Sequence, residues 1–248
     1  MKASKWQIWT GISLVGLSVL FYIVHYLIFR DVHQIFINLL SDIAFAFIQV
    51  LLVGLIINHL LTKREKQARM EKLNMVIGVF FSEIGNQLLS DFSKSDPNID
   101  IIREELIITR TWSDEKFKSV IKRLKTYDFN VKIDKEEFAG MRNFLLEKSE
   151  FLLRILENPT LMEHESFTDL LQAVFHLTEE LKFREHVIDV PKTDLNHLNI
   201  DAKRVYTLII IEWLNYMDYL EFNYPYLFSL AIRTNPFDKN CSVIVNED

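Results

Sequence analysis

Few residues of this chain have the types and spacing that carry chemistry. His176 and Glu180 are four residues apart, which places two possible metal ligands on one helix face. A second small group consists of Glu163, His164 and Glu165. Either group needs two more ligands from elsewhere in the fold, and solvated helix faces often carry such pairs. We therefore predict no metal site, no cofactor and no catalytic residue.

Familiar catalytic motifs are absent from the sequence. There is no phosphate-binding glycine loop, no nucleophile elbow and no HExxH zinc motif. The single cysteine, Cys241, excludes an internal disulfide and a thiolate zinc site. An enzyme is consequently the third of the functions that we consider.

The composition favours helices and contact with lipid. Six glycines and five prolines among 248 residues are too few for the turns of a sandwich or barrel with many short strands. Apolar side chains make up 49% of the chain, and the mean hydropathy of +0.09 is high for a purely soluble protein. We predict an all-α protein.

Two apolar stretches, about residues 6–29 and 35–61, are each long enough to cross a hydrocarbon core of about 30 Å. Because only residues 30–34 separate them, they form an antiparallel transmembrane hairpin over 1–62. Capping-box spacing at Ser4 with Gln7, and at Asp31 with Gln34, marks the two helix starts. A cleaved signal peptide is the competing interpretation, but no cleavage site follows the first stretch.

Basic residues flank only one side of this hairpin. Five of them follow the second stretch, whereas the connecting loop offers only Arg30, which Asp31 offsets. The positive-inside rule therefore predicts a cell-membrane protein with both termini in the cytoplasm. We expect the five basic side chains to contact anionic lipid headgroups: Lys63, Arg64, Lys66, Arg69 and Lys72.

A few polar residues lie inside the two apolar stretches, where contact with lipid would cost free energy. An ionised carboxylate such as that of Asp42 costs about 2.5–3.5 kcal/mol near the centre of a membrane span, so it should not face lipid. Steps of three and four residues place most polar groups of the second stretch on one seam: Asn38, Asp42, Gln49 and His59. A weaker seam in the first stretch includes Ser18 and His25.

We hypothesise that His25 and Asp42 pair, across the hairpin or between subunits, because both lie near the outer end of the spans. One interpretation is a polar clasp that fixes the helix register. The other is a water-filled path for ions, which requires several copies of the chain around a common axis.

The pattern stays helical beyond the hairpin. We predict a juxtamembrane stalk helix over 63–91, with an apolar stripe and with Gly78 and Gly85 at close helix contacts, and a cytoplasmic helical domain over 92–248. Residues 186–199, which include Pro191, are predicted as a loop. Capping signals predict helices from Asp96 to Arg110, Ser113 to Tyr127, Asp134 to Asn158, Ser166 to Glu185, Asp201 to Phe222 and Pro225 to Ile232.

Residues 73–248 carry a net charge of −10. Because nucleic-acid affinity depends on neutralising phosphates, this charge excludes a nucleic-acid partner. The domain also contains an aromatic cluster, for which core packing is favoured over a docking groove: Trp213, Tyr216, Tyr219, Phe222, Tyr224, Tyr226 and Phe228.

Two stretches carry a resemblance to a known family. Residues 70–85 (MEKLNMVIGVFFSEIG) and 224–238 (YPYLFSLAIRTNPFD) resemble segments of an uncharacterised family of prokaryotic proteins with two transmembrane helices. The resemblance implies a cytoplasmic helical domain and transfers no functional residue.

The sequence thus predicts an integral membrane protein that is a homo-oligomer. The leading functional hypothesis is a non-enzymatic sensor or scaffold, anchored in the membrane, whose helical domain binds a cytoplasmic protein partner. The alternative is an ion channel or pore formed by several copies, lined by the polar face of the second span.

Overall fold

A computed structural model describes residues 5–159, 161 and 164–244. About 79% of the chain is helical, and the described residues form no strand, which confirms the all-α prediction. The chain divides into two compact units, Met1–Lys66 and Gln67–Asp248.

The first unit contains helix α1 (Lys5–Phe29) and the beginning of helix α2 (Val32–Phe80). The two helices are separated at Arg30, which has a φ of 51°, in the left-handed region that non-glycine residues rarely adopt. Its backbone N–H donates to the Tyr26 carbonyl at 2.9 Å and so closes the end of α1.

The start of α2 is capped by Asp31, whose carboxylate accepts a hydrogen bond from the Gln34 backbone N–H at 3.1 Å. This is one half of the predicted capping box. The Gln34 side chain takes a different partner and donates to Asn38 Oδ1 at 3.4 Å. The other predicted box begins at Ser4, which lies outside the described residues.

Helix α2 passes into a π-helical turn (Phe81–Gly85) and then into helix α3 (Asn86–Lys94). A π-helical turn contains one more residue than an α-helical turn and is often found at functional sites. The predicted apolar stripe along this segment is buried, as expected: Leu73, Ile77, Phe80, Ile84 and Leu88.

The remaining helices follow in chain order and make up the rest of the second unit. They are α4 (Ile99–Arg103), α5 (Asp114–Leu124), α6 (Lys135–Glu147), α7 (Ser149–Leu156), α8 (Glu165–Lys182), α9 (Lys192–Asn223) and α10 (Pro225–Arg233), with a 3₁₀ turn at Val187–Asp189 between α8 and α9.

Two local capping signals were predicted correctly. The Ser113 hydroxyl accepts from the Lys116 backbone N–H at 3.3 Å and begins α5. Asp134 and Glu137 form both halves of a capping box at the start of α6.

The helix predicted to end at Arg110 stops at Arg103 instead. Leu106 and Ile108 are buried whereas Thr109 is exposed, an alternation typical of extended chain. The β-branched run Ile107–Thr109 also disfavours a helix.

The predicted loop over 186–199 is correct only as far as Pro191 and wrong from Lys192, where α9 begins. Proline is well suited to a helix start, where its missing N–H needs no partner. Arg184 then binds the first turn of α9, donating to both oxygens of Asp194 at 2.7 and 2.8 Å.

Helix α8 also starts differently from the prediction. His164 is its cap, and Nδ1 of this residue accepts from the Phe167 backbone N–H at 3.2 Å. The predicted cap, Ser166, lies in the first turn and donates to the buried carboxylate of Glu212 at 2.9 Å. The predicted group of Glu163, His164 and Glu165 is at this helix start: Glu165 is the first residue of α8, and Glu163 lies outside the described residues.

Helix α9 lies at the centre of the second unit and packs against α3, α5, α8 and α10. Tyr206 of α9 is fully buried between the rings of Phe92 and Phe129, with ring centroids 5.5 and 5.3 Å away. Phe80 of α2 meets Phe167 of α8 edge to face at 5.4 Å. The core therefore joins the end of α2 to the later helices.

Gly78 allows a close approach between α2 and α9. A Cβ atom at this position would lie 2.5 Å from the Tyr216 hydroxyl, whose ring stacks on Phe81 at a centroid distance of 5.4 Å. Gly140 on α6 has no neighbouring atom within 4 Å of the corresponding position.

These two glycines should therefore respond oppositely to alanine. Gly140→Ala should raise the free energy of unfolding by about 0.5–1 kcal/mol, because alanine loses less backbone entropy on folding. Gly78→Ala should lower it by about 1 kcal/mol or more, because Tyr216 has to leave its stack on Phe81. Denaturant unfolding of the full chain in detergent, followed by circular dichroism, measures both. Equal effects of the two variants, or no relief of the Gly78→Ala penalty in a Tyr216→Phe background, would contradict the close approach.

Candidate functional site

Two helices are long and apolar enough to cross a membrane, namely Trp9–Phe29 and the helix that begins at Val32. None of the residues in their most apolar windows is buried within the chain. The core helix of a soluble protein would be largely covered by its neighbours. The apolar surface of both helices thus lacks a cover from the described part of the chain.

The predicted polar seam lies on this uncovered surface. Its members on α2 are all exposed: Asn38, Asp42, Gln49 and His59. On α1, Ser18 is exposed and His25 is half-buried, with its ring 4.8 Å from that of Phe29. The described residues show no hydrogen bond or ion pair between His25 and Asp42, and their pairing stays a prediction.

The basic segment lies on α2, after the apolar stretch. All five side chains predicted to contact headgroups are exposed: Lys63, Arg64, Lys66, Arg69 and Lys72. A helix with 1.5 Å rise per residue distributes these charges over about 14 Å of its length. Contact with lipid headgroups remains a prediction for these residues.

The second unit contains an open groove of about 850 Å³. Residues 74–86, from α2, the π-helical turn and the start of α3, form one side. Residues 213–234, from α9, α10 and the residue that follows α10, form the other. These ranges overlap the two stretches that carry the family resemblance. Several apolar side chains on or beside the groove are substantially exposed: Met75, Val79, Tyr226, Leu227 and Leu230.

The aromatic cluster divides between core and groove. Trp213 and Phe228 are buried, as core packing requires, whereas Phe222 and Tyr226 are exposed. Three further members are half-buried and line the groove: Tyr216, Tyr219 and Tyr224. Core packing therefore accounts for only part of the cluster.

The hydroxyl groups in the groove are uncharged at neutral pH. Burial raises the pKa of Tyr216, and burial together with the neighbouring Tyr224 raises the pKa of Tyr219 to about 12. Glu83 is the one charged residue that lines the groove among the described residues, and Lys148 neutralises it at 2.9 Å. The groove therefore presents an apolar surface with neutral hydrogen-bonding groups.

A separate cluster of histidines and carboxylates lies between α8 and α9. His176 and Glu180 are on α8, and His197 and Asp201 are on α9, so each helix contributes two residues four positions apart. Nε2 of His176 and Nε2 of His197 lie 3.6 and 3.5 Å from Oδ2 of Asp201. Nε2 of His197 is also 3.7 Å from Oε2 of Glu180.

Asp201 is the inner member of this cluster. Its side chain is only 7% exposed, and Oδ2 accepts no hydrogen bond from the described residues. His176 and His197 are about half exposed and form the outer side. The sequence analysis identified His176 and Glu180 but predicted no metal site, because two further ligands had to come from elsewhere.

Arg184 holds the carboxylate of Glu180 in place. Its Nη1 donates to Glu180 Oε2 at 2.7 Å while the same guanidinium binds Asp194. The hydrogen bond from Arg184 lowers the pKa of Glu180, and the Arg184 guanidinium likewise lowers the pKa of Asp194. Both carboxylates are therefore ionised at neutral pH.

Two family models match the chain. Residues 2–61 match "MJ1433, N-terminal helical domain", and residues 69–233 match "Uncharacterized protein MJ1433, C-terminal helical domain". The chain is similar to "Uncharacterized protein MJ1433" of Methanocaldococcus jannaschii, with 47% identity over 248 residues that cover 100% of the chain and 99% of the relative. No solved structure matches the chain. The matched descriptions name helical domains and state no activity or location.

Proposed function

The chain belongs to the MJ1433 family, and we propose that it is a non-enzymatic integral membrane protein that acts as a sensor or scaffold. In this proposal α1 and the apolar part of α2 anchor the chain in the cell membrane. The second unit lies in the cytoplasm and binds a protein partner.

The observation that carries the proposal is the uncovered apolar surface of α1 and α2. Apolar side chains exposed over two helices of this length are unfavourable in water by about 25 cal/mol per Å². Lipid removes that cost, and regular helices satisfy their backbone hydrogen bonds internally, as a bilayer requires. The basic segment after the second apolar stretch supports the placement of both termini in the cytoplasm.

This topology predicts which side of the membrane each cysteine reaches. The native Cys241 is exposed, and His33→Cys adds a thiol at the start of α2, just after the break between the two helices. In intact spheroplasts of a bacterial host, a membrane-impermeant maleimide should label position 33 and leave Cys241 unlabelled. After lysis it should label both. A Cys241→Ser variant with and without His33→Cys separates the two signals.

Labelling of Cys241 in intact spheroplasts would show that the second unit lies outside the cytoplasm, the opposite of the proposed orientation. Recovery of the chain in the soluble fraction after lysis would refute the membrane anchor itself.

The groove is the surface that we propose binds the partner. An exposed apolar groove in a helical unit suits the apolar face of an amphipathic helix. Because residues 73–248 carry a net charge of −10, a helix with a basic outer face complements the unit. We therefore propose a basic amphipathic helix of a cytoplasmic protein as the occupant.

Two designed peptides test this proposal. Both present leucines on one helix face, and the opposite face carries lysine in one peptide and glutamate in the other. Fluorescence anisotropy with the full chain in a non-ionic detergent, corrected for binding to empty micelles, should show tighter binding of the lysine peptide. Val79→Arg should weaken that binding at least about tenfold, since it places a bulky cation in the groove.

Ile101→Arg is the matched control, because Ile101 is also an exposed β-branched apolar residue but does not line the groove. If the two arginine variants bind the lysine peptide alike, the groove is not its binding site. If the glutamate peptide binds as tightly as the lysine peptide, the proposed charge of the partner is wrong.

The exposed seam on α2 favours an ion channel as the second candidate. Asp42 lies within the apolar stretch, and the described residues provide no partner that would cover its charge. In a ring of several copies, this seam would face a common water-filled axis.

The channel candidate predicts ion flux into liposomes that contain the full chain. Asp42→Leu should abolish this flux because it removes the charge from the axis. Asp31→Asn should preserve it, since asparagine still caps α2 outside the apolar stretch. No flux from the wild-type chain, or unchanged flux from Asp42→Leu, rejects the channel.

A further inference from the structure

We propose that His176, Glu180, His197 and Asp201 bind one divalent transition-metal cation, of which zinc is the best match, between α8 and α9. This site is separate from the groove and from the apolar helices. It does not depend on the proposed scaffold function.

The donor set fits a small borderline cation. Two imidazole nitrogens and two carboxylate oxygens are ligand types that Zn²⁺ accepts, whereas Ca²⁺ and Mg²⁺ prefer oxygen ligands alone. Tetrahedral zinc with bonds of about 2.0–2.1 Å keeps its ligand atoms about 3.3–3.4 Å apart. Ligand atoms of Glu180, His197 and Asp201 all lie within 4.8 Å of one another, and the two distances from His197 are 3.5 Å to Asp201 and 3.7 Å to Glu180. His176 is outside this group of three and joins it through Asp201, at 3.6 Å, so a rotation of its half-exposed side chain has to complete the shell.

The buried carboxylate of Asp201 provides independent support. Its Oδ2 atom is directed at both imidazoles and accepts no hydrogen bond within the described chain. A buried carboxylate oxygen that accepts no hydrogen bond is destabilising, because it has lost its contacts with water. A cation at this position would satisfy it.

The excess of acidic groups around the cluster also favours a cation. Around the site lie three carboxylates, those of Glu180, Asp194 and Asp201, and one guanidinium, that of Arg184. With neutral imidazoles the local charge is −2, which a divalent cation balances. The hydrogen bond from Arg184 then orients Glu180 as a metal ligand, as groups in the outer shell commonly do around metal sites.

The expected role of the cation is structural or regulatory. Four ligands from the protein complete a tetrahedral shell and leave no open position for a substrate. The cation would link α8 to α9, the two helices that make the most extensive contact in the unit. The half-exposed imidazoles leave the outer side open for its entry.

Metal titration of the full chain tests the site. The protein is purified in detergent with a tag that contains no histidine, and it is treated with a chelator. Isothermal titration should then show one equivalent of Zn²⁺ bound. Co²⁺ should give the strong visible absorption of a tetrahedral complex, which an octahedral complex lacks. Zinc should also raise the melting temperature, because it binds only the folded chain.

The variants distinguish this site from adventitious binding. His176→Ala and His197→Ala should each reduce zinc affinity more than about a hundredfold, which exceeds the loss of about 10–100-fold that outer-shell changes cause. Both side chains are half exposed, so the fold should persist in both variants, as circular dichroism can verify. His186→Ala removes an exposed histidine outside the cluster and should leave the affinity unchanged. The proposal fails if the wild-type chain binds no stoichiometric zinc, or if His197→Ala binds it as tightly as His186→Ala.

Discussion

The burial of α9 on several sides at once is the constraint on which the second unit depends. This helix packs against α3, α5, α8 and α10, and its buried residues extend from Leu198 to Leu220. A helix covered on most sides has little freedom to shift, because close-packed side chains would have to separate. The groove and the histidine–carboxylate cluster both take one wall from α9. Their geometry is therefore fixed by the same packing that stabilises the core.

The two apolar helices, α1 and the first part of α2, differ from α9 in this respect. They bury none of their most apolar residues within the chain, so their stability has to come from the surroundings. Lipid would satisfy the apolar side chains but not Asp42, since a charge in hydrocarbon is costly. The scaffold and channel proposals therefore make different statements about what covers the α2 seam. In a scaffold another helix covers it, and in a channel water does.

Signals that act over a few residues were readable from the sequence. The caps at Ser113 and Asp134 were predictable because a cap binds backbone groups within its own first turn. Pro191 was misleading, since proline breaks a helix interior but also begins helices, and only the packing of α9 decides between the two.

The histidine–carboxylate cluster shows where such reasoning stops. His176 and Glu180 were identified by their spacing of four residues. His197 and Asp201 have the same spacing, but they lay across the predicted boundary between a loop and a helix. They lie near His176 and Glu180 only because α9 packs against α8, and a local sequence pattern does not show contacts between helices. The groove was missed for the same reason, because its two walls are more than a hundred residues apart in the chain.

The length of α9 has a mechanical consequence. Asp201 and Tyr216 are fifteen residues apart on one unbroken helix, which corresponds to about 22 Å along its axis. An α-helix is stiff along this direction, because every turn is hydrogen-bonded to the next. A sliding movement of α9 at the Asp201 end would thus reach Tyr216 at nearly full amplitude, as it would along a rigid rod. A flexible connection of the same length would absorb it.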